Sequence, residues 1–255
     1  LGVVCVLILV QPDTSAMLTI LILGALMFYI GEGDLKFVIP LIIFALVVFA
    51  GAYLFSPTVK ARLTSFFIDA NDWDNLHFHT QQALSAIIRG GWFGTNVAEG
   101  AAKYIGLPVP WTDSIFAVII EETGLVGGAA VVFLYLVILI RGIKIAENAP
   151  DFTGKLLVSG LTCWIVFEAF LNMGVMVRLF PIAGNALPLI SYGGSIMLTT
   201  LGSIGLIFSV NRATIENNVG NERRSLDAAV DLRGRDGRGR LSRTDRSRQT
   251  RNKTT

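Results

Sequence analysis

The chain has 255 residues, of which 53% are hydrophobic and 16% charged, with a net charge of +2 and a mean hydropathy of +0.61. A soluble domain of this length does not carry so much apolar surface, so the composition excludes a soluble enzyme and indicates an all-α, polytopic membrane protein. Cys5 and Cys163 lie in apolar runs without metal or redox spacing and read as core residues.

Residues 1–10 are apolar but too short to span a bilayer, with no initiator Met and no basic leader. They are expected to be the closing end of a helix that begins upstream. Apolar runs at 14–30, 37–55, 125–140, 156–177 and 193–210 each approach the ~20 residues that a transmembrane helix needs. From Arg212 onward the composition changes to 12 Lys and Arg against 6 Asp and Glu, interspersed with Gly, Ser and Thr and lacking apolar periodicity. Residues 1–212 are therefore expected to form the membrane domain. Residues 213–255 read as a disordered basic tail near anionic lipid rather than a nucleic-acid-binding segment.

Lys and Arg flank the cytoplasmic ends of spans, so the Arg212 end, the loop with Arg141, Lys144 and Lys155, and the turn at 31–36 are assigned to the cytoplasm. The connection at about 56–113, the turn at 11–13 and the loop at 178–188 then face outward. Five cations on that side, Lys60, Arg62, Arg89, Lys103 and Arg178, run against the rule's average. An anionic substrate on the outer face accounts for them; contact with lipid headgroups is the competing explanation.

The outer connection is long for a segment without a span, yet it contains Trp73, Phe78, Trp92, Phe93, Tyr104 and Trp111 and an amphipathic stretch at 81–88. Such a segment is expected to hold interfacial or re-entrant helices. An unbroken helix from Asp113 to Arg141 would be ~43 Å long, well beyond the ~30 Å hydrocarbon core. The spacing predicts a break at Gly124, Gly127 and Gly128, with a short helix before it. That short helix carries Asp113 at a polar entrance, with Glu121 two turns away and Glu122 facing the other way. Carboxylates at such depth mark a functional-site candidate; for Asp113 the competing explanation is a helix N-terminal acid with Thr112 as its cap. A second broken region, FPIAGNALPLISYGGS at 180–195, has too many Pro and Gly residues for one regular helix, so the chain bends back into the protein before the last span.

QPD at 11–13, RLTSFF at 62–67, IIRGGWFG at 87–94, PWTDSIFAVIIEETGLVGG at 110–128, NMG at 172–174 and PLISYGGS at 188–195 appear in an order and spacing that resembles the shape, elongation, division and sporulation family, known through RodA and FtsW. The resemblance implies a ten-span fold, of which this chain holds the end of the fifth span and the sixth to the tenth. It further implies polymerisation of lipid II into glycan strands in the bacterial plasma membrane, with a class B penicillin-binding protein as transpeptidase partner. A transporter of lipid-linked precursor and a non-enzymatic activator of that partner are the alternative functions.

By the same resemblance Asp113 is the catalytic acid, although Trp111 stands where the family has His. Asp13, Arg62, Glu121, Asn172 and Ser191 occupy matching motifs and are expected at the substrate, with Lys60, Arg89, Lys103 and Arg178 as supporting cations. The chemistry needs a base for a sugar hydroxyl and positive charge at a departing pyrophosphate. A divalent Mg²⁺ or Mn²⁺ ion bridging Asp113 to the pyrophosphate is an alternative source of that charge. His77 and His79 with Asp69, Asp72 and Asp74 match no metal-loop spacing, so no resident metal site is assigned.

Overall fold

The computed structural model describes residues 14–31, 36, 38–67, 78–95, 100, 111–181 and 184–249. They form seven helices: α1 (Thr14–Ile30), α2 (Val38–Phe55), α3 (Pro57–Phe67), α4 (Phe78–Gly90), α5 (Ile115–Glu147), α6 (Phe152–Met176) and α7 (Gly194–Gln249). No strand occurs among the described residues. Among the described residues three helices are long and apolar enough to cross a membrane: α5, α6, and the Gly194–Arg224 part of α7. The helix α2, VIPLIIFALVVFAGAYLF, contains no charged residue. The chain is a polytopic helical membrane protein, and the first two helices start and stop where the apolar runs predict.

α6 is the central helix, touching α1, α4, α5 and α7. Its most apolar window is 44% buried, against 17% for α5 and for α7, which turn much of their surface outward. Asp151 caps α6 by accepting from the Gly154 amide at 3.0 Å, and only residues 148–151 separate it from α5, so the two pack antiparallel. Close approach is secured at Gly142, where a Cβ would lie 2.3 Å from the Thr162 side chain. At the other end one core joins Ala83 and Ala86 of α4, Phe116, Ile120 and Tyr135 of α5, Ile165, Ala169 and Met173 of α6, and Leu187.

The amphipathic stretch at 81–88 is helical, within α4. Its small face packs on α5 rather than lying along the membrane surface alone, because Ala83, Ala86 and Gly90 let the two backbones meet. The predicted break in α5 is at Gly124, with φ 75° and ψ −178°, while Gly127 and Gly128 remain helical. One expectation needs correcting. The segment beyond Arg212, read as disordered, continues α7 as helix to Gln249. A helix already formed in the span extends without a new nucleation cost, no Pro interrupts it, and Arg212 pairs with Glu216 one turn on at 2.9 Å.

Candidate active site

The site is built where two irregular segments meet. Residues 111–114 enter α5 as a turn, and each of their backbone carbonyls has a donor. Trp111 O accepts from Tyr192 N at 2.8 Å. Thr112 O accepts from Ser191 Oγ at 2.7 Å. Asp113 O accepts from Asn172 Nδ2 at 2.7 Å. Ser114 O accepts from the amides of Ala117 and Val118, the first bonds of the helix. Backbone polar groups within a membrane protein must be satisfied internally, and here three of the four carbonyls find their donors on the second broken segment or on α6. The backbone of Asp113 is thereby fixed from two directions.

The second segment is held in turn. Ser191 Oγ also accepts from Leu187 N at 2.7 Å, and Ser191 N donates to Leu187 O at 2.9 Å. Tyr135 on α5 donates its hydroxyl to Pro188 O. Asn172 donates to Asn185 O as well as to Asp113 O, so one carboxamide ties both segments to α6. Asn185 Nδ2 donates to Glu168 Oε2 at 3.1 Å. Leu189 adopts φ 69°, a left-handed conformation unusual for a branched residue and a mark of how tightly this loop is constrained.

The Asp113 side chain is half-buried, and a Cβ at the exposed Gly184 would lie 3.5 Å from its Oδ2, so the glycine leaves the carboxylate room on that side. Ser114, not Thr112, is the N-cap residue, and its hydroxyl makes no cap bond. It pairs with His79 Nε2 at 2.9 Å instead, tying the start of α5 to α4. Trp111, Ile115, Ile190 and Tyr192 line an open apolar cavity of about 470 Å³ beside the acid.

Glu121 is fully buried and paired with Arg89 Nε at 2.9 Å, so neither carboxylate oxygen faces solvent and the pair acts through the fold. Asn172 and Ser191 are likewise buried; the Asn172 Nδ2 and the Ser191 hydroxyl hold backbone, while Asn172 Oδ1 is buried without a hydrogen-bond partner. Of the residues expected at the substrate, Glu121, Asn172 and Ser191 are thus buried and bonded within the protein, while Arg89 is exposed at the end of α4 and pairs with Glu121. Arg62 and Arg178, from α3 and from the turn after α6, converge on one small polar gap with Ser65 and Thr80. Arg178 reaches it with φ 61°, the left-handed region that favours glycine. Lys60 is exposed on α3. Asp13 and Lys103, and with them His77, Asp69, Asp72 and Asp74, lie outside the described residues.

Glu168, His79, Asn185 and Tyr135 belong to this network; only His79 was named from the sequence, and then as a rejected metal ligand rather than as a partner of Ser114. Glu168 carried a signal, since it is the single acid in the apolar helix α6. His79 and Asn185 sit in polar loops or at their edges and carried none. Among the described residues no group of three His, Cys, Asp or Glu side chains converges as a metal cage would.

Residues 1–216 match the family described as cell cycle protein, FtsW/RodA/SpoVE. A probable peptidoglycan glycosyltransferase FtsW from Thioalkalivibrio sulfidiphilus is 39% identical over 83% of this chain and 54% of its own length. Stage V sporulation protein E from Bacillus subtilis is 33% identical over 81% of this chain and 56% of its own. The chain thus spans about half the length of the curated relatives it matches. Among solved structures, a chain from a peptidoglycan synthase complex described as coordinating polymerization and crosslinking superposes with a TM-score of 0.65. It is 27% identical, over 83% of this chain and 59% of that one.

Proposed function

The chain belongs to the FtsW, RodA and SpoVE family, and from that footing we propose that it is the acid-bearing part of a peptidoglycan glycosyltransferase that polymerises lipid II in the bacterial plasma membrane. The observation that most supports this is the pinning of 111–114: Ser191 holds the carbonyl of Thr112 and Asn172 that of Asp113, while the Asp113 side chain remains half-exposed beside Gly184. A merely structural N-terminal acid needs no such framework.

In the proposed reaction a sugar hydroxyl of one lipid-linked disaccharide passes its proton to the Asp113 carboxylate. Its oxygen forms the new glycosidic bond to the anomeric carbon of a second, and the bond from that carbon to the undecaprenyl pyrophosphate breaks. The electron pair leaves with the pyrophosphate. A positioned base contributes ~10²–10⁴-fold to such a step. Arg62 and Arg178, which line one gap, are the cations we assign to the departing charge. Lys60 and Lys103 add positive charge on the same outer face, and Asp13 joins the substrate side by its motif. A Mg²⁺ or Mn²⁺ ion carried in by the pyrophosphate would take Asp113 as protein ligand and neutralise charge there; one carboxylate among backbone carbonyls suits such a passenger rather than a resident ion. The reading includes a class B penicillin-binding protein as transpeptidase partner and a cytoplasmic basic tail.

The test is polymerisation of purified lipid II by the full-length protein, with glycan strands resolved by gel. Asp113→Asn is expected to lower turnover by about 10²-fold or more. Strand synthesis at the unaltered rate in that variant sinks the assignment of the base.

A further inference from the structure

Glu168 has no role in the chemistry described above, yet it closes the network beneath Asp113. It lies in the apolar middle of α6, where a carboxyl group costs several kcal/mol unless it is engaged. Asn172 follows one turn later on the same face. From these two positions a ring of contacts runs through both irregular segments. Glu168 Oε2 accepts from Asn185 Nδ2 at 3.1 Å, Asn185 O accepts from Asn172, and Asn172 donates to Asp113 O at 2.7 Å. Asn185 is 6% exposed, so its carboxamide has no solvent to fall back on. Its chain neighbour Gly184 is the residue that faces the Asp113 carboxylate, a built Cβ lying 3.5 Å from Oδ2.

We propose that Glu168 is a positioning residue for the transfer: by holding the Asn185 side chain it sets the loop wall that faces the Asp113 carboxylate. What the ring requires from position 168 is an acceptor of that reach, which Gln also supplies and Leu does not. Without it, a buried amide donor loses its partner and the loop re-packs. The proposal rests on the reading of Asp113 as the base, so its test includes a readout that does not depend on that reading.

In the full-length protein, initial rates of lipid II polymerisation are measured against lipid II concentration for Glu168→Leu, Glu168→Gln and Asn185→Ala, with Asp113→Asn as reference. Hydrogen exchange of the Leu187 and Ser191 amides is followed in parallel. Glu168→Leu is expected to lower kcat by about ten-fold or more with KM within about two-fold, and to speed exchange at both amides. Glu168→Gln restores both readouts. Asn185→Ala removes the same bond from the loop side; it reproduces the loss and adds nothing further in the Glu168→Leu background. It also serves as the test if Glu168→Leu does not accumulate. Unchanged exchange in Glu168→Leu or Asn185→Ala overturns the loop-holding role. Failure of Glu168→Gln to restore turnover while exchange stays protected overturns positioning in favour of the charge itself. Unaltered turnover in Asp113→Asn removes the base assignment, and the exchange measurements then decide whether Glu168 holds the loop.

Discussion

Two breaks in regular structure flank the candidate site, and they are held by opposite means. At Gly124 the helix gives up its own bonds to a neighbouring loop. Leu125 N donates to Gly91 O at 2.9 Å, and Thr95 N donates to Glu121 O at 3.0 Å. Backbone bonds dominate this junction, with the Thr95 hydroxyl adding one to the same Glu121 O at 3.1 Å, and the chains can approach because no Cβ protrudes at the two glycines. A Cβ at Gly124 would lie 2.2 Å from Trp92 O, and one at Gly94 would lie 2.1 Å from Glu122 O. Both glycines also have positive φ, at 75° and 82°. At 185–188 the backbone is instead gripped by the side chains of Asn172, Ser191 and Tyr135. The first break tolerates no added atoms and the second tolerates no removed ones.

Substitutions that exploit this difference follow in order of expected effect. Gly124→Ala combines a positive-φ, extended backbone conformation essentially confined to glycine, at about 1–3 kcal/mol, with a backbone clash that nothing nearby relieves, so little folded protein is expected in the membrane. Detergent extraction followed by size-exclusion chromatography measures it; a monodisperse peak at the normal yield breaks the comparison. Asn172→Leu fills similar space but strips the donors from two carbonyls, at about 1–3 kcal/mol each. Its midpoint of thermal unfolding should fall while the Gly124 junction, read by exchange at the Leu125 amide, stays protected. Ser191→Ala removes one donor and one acceptor at a single hydroxyl and is expected to cost about 2 kcal/mol. Equal loss of protection at Leu125 and Leu187 in either variant would merge the two breaks into one cooperative unit.

The membrane class, the first two apolar helices and the existence of both breaks were legible in the sequence, because each follows from local composition or from length. The excess of helix length over bilayer thickness required a break in α5, and three glycines offered one. Which glycine took it was set by the loop at 91–95, some 30 residues away, whose backbone meets Gly124 and not Gly127 or Gly128. Asp113 was recognisable from its motif, but its clamp was not. Asn172 and Asp113 are 59 residues apart, and Ser191 and Thr112 are 79 apart. Nothing in hydropathy reveals that a polar side chain will hold a carbonyl rather than a ligand. For the same reason Glu121 looked available from its helix face, although Arg89 had already engaged it. The segment after Arg212 was misjudged in another way: composition argued for disorder, while continuity with the last span removed the barrier to helix formation.

Arg178 has a consequence for variation in this protein. Its φ of 61° is one that glycine adopts freely and that costs arginine about 1–2 kcal/mol. Arg178→Gly should therefore relieve that backbone strain while slowing the proposed strand synthesis, since the gap it shares with Arg62 loses a guanidinium. Backbone geometry and the charge of the gap would pull this one position toward different residues.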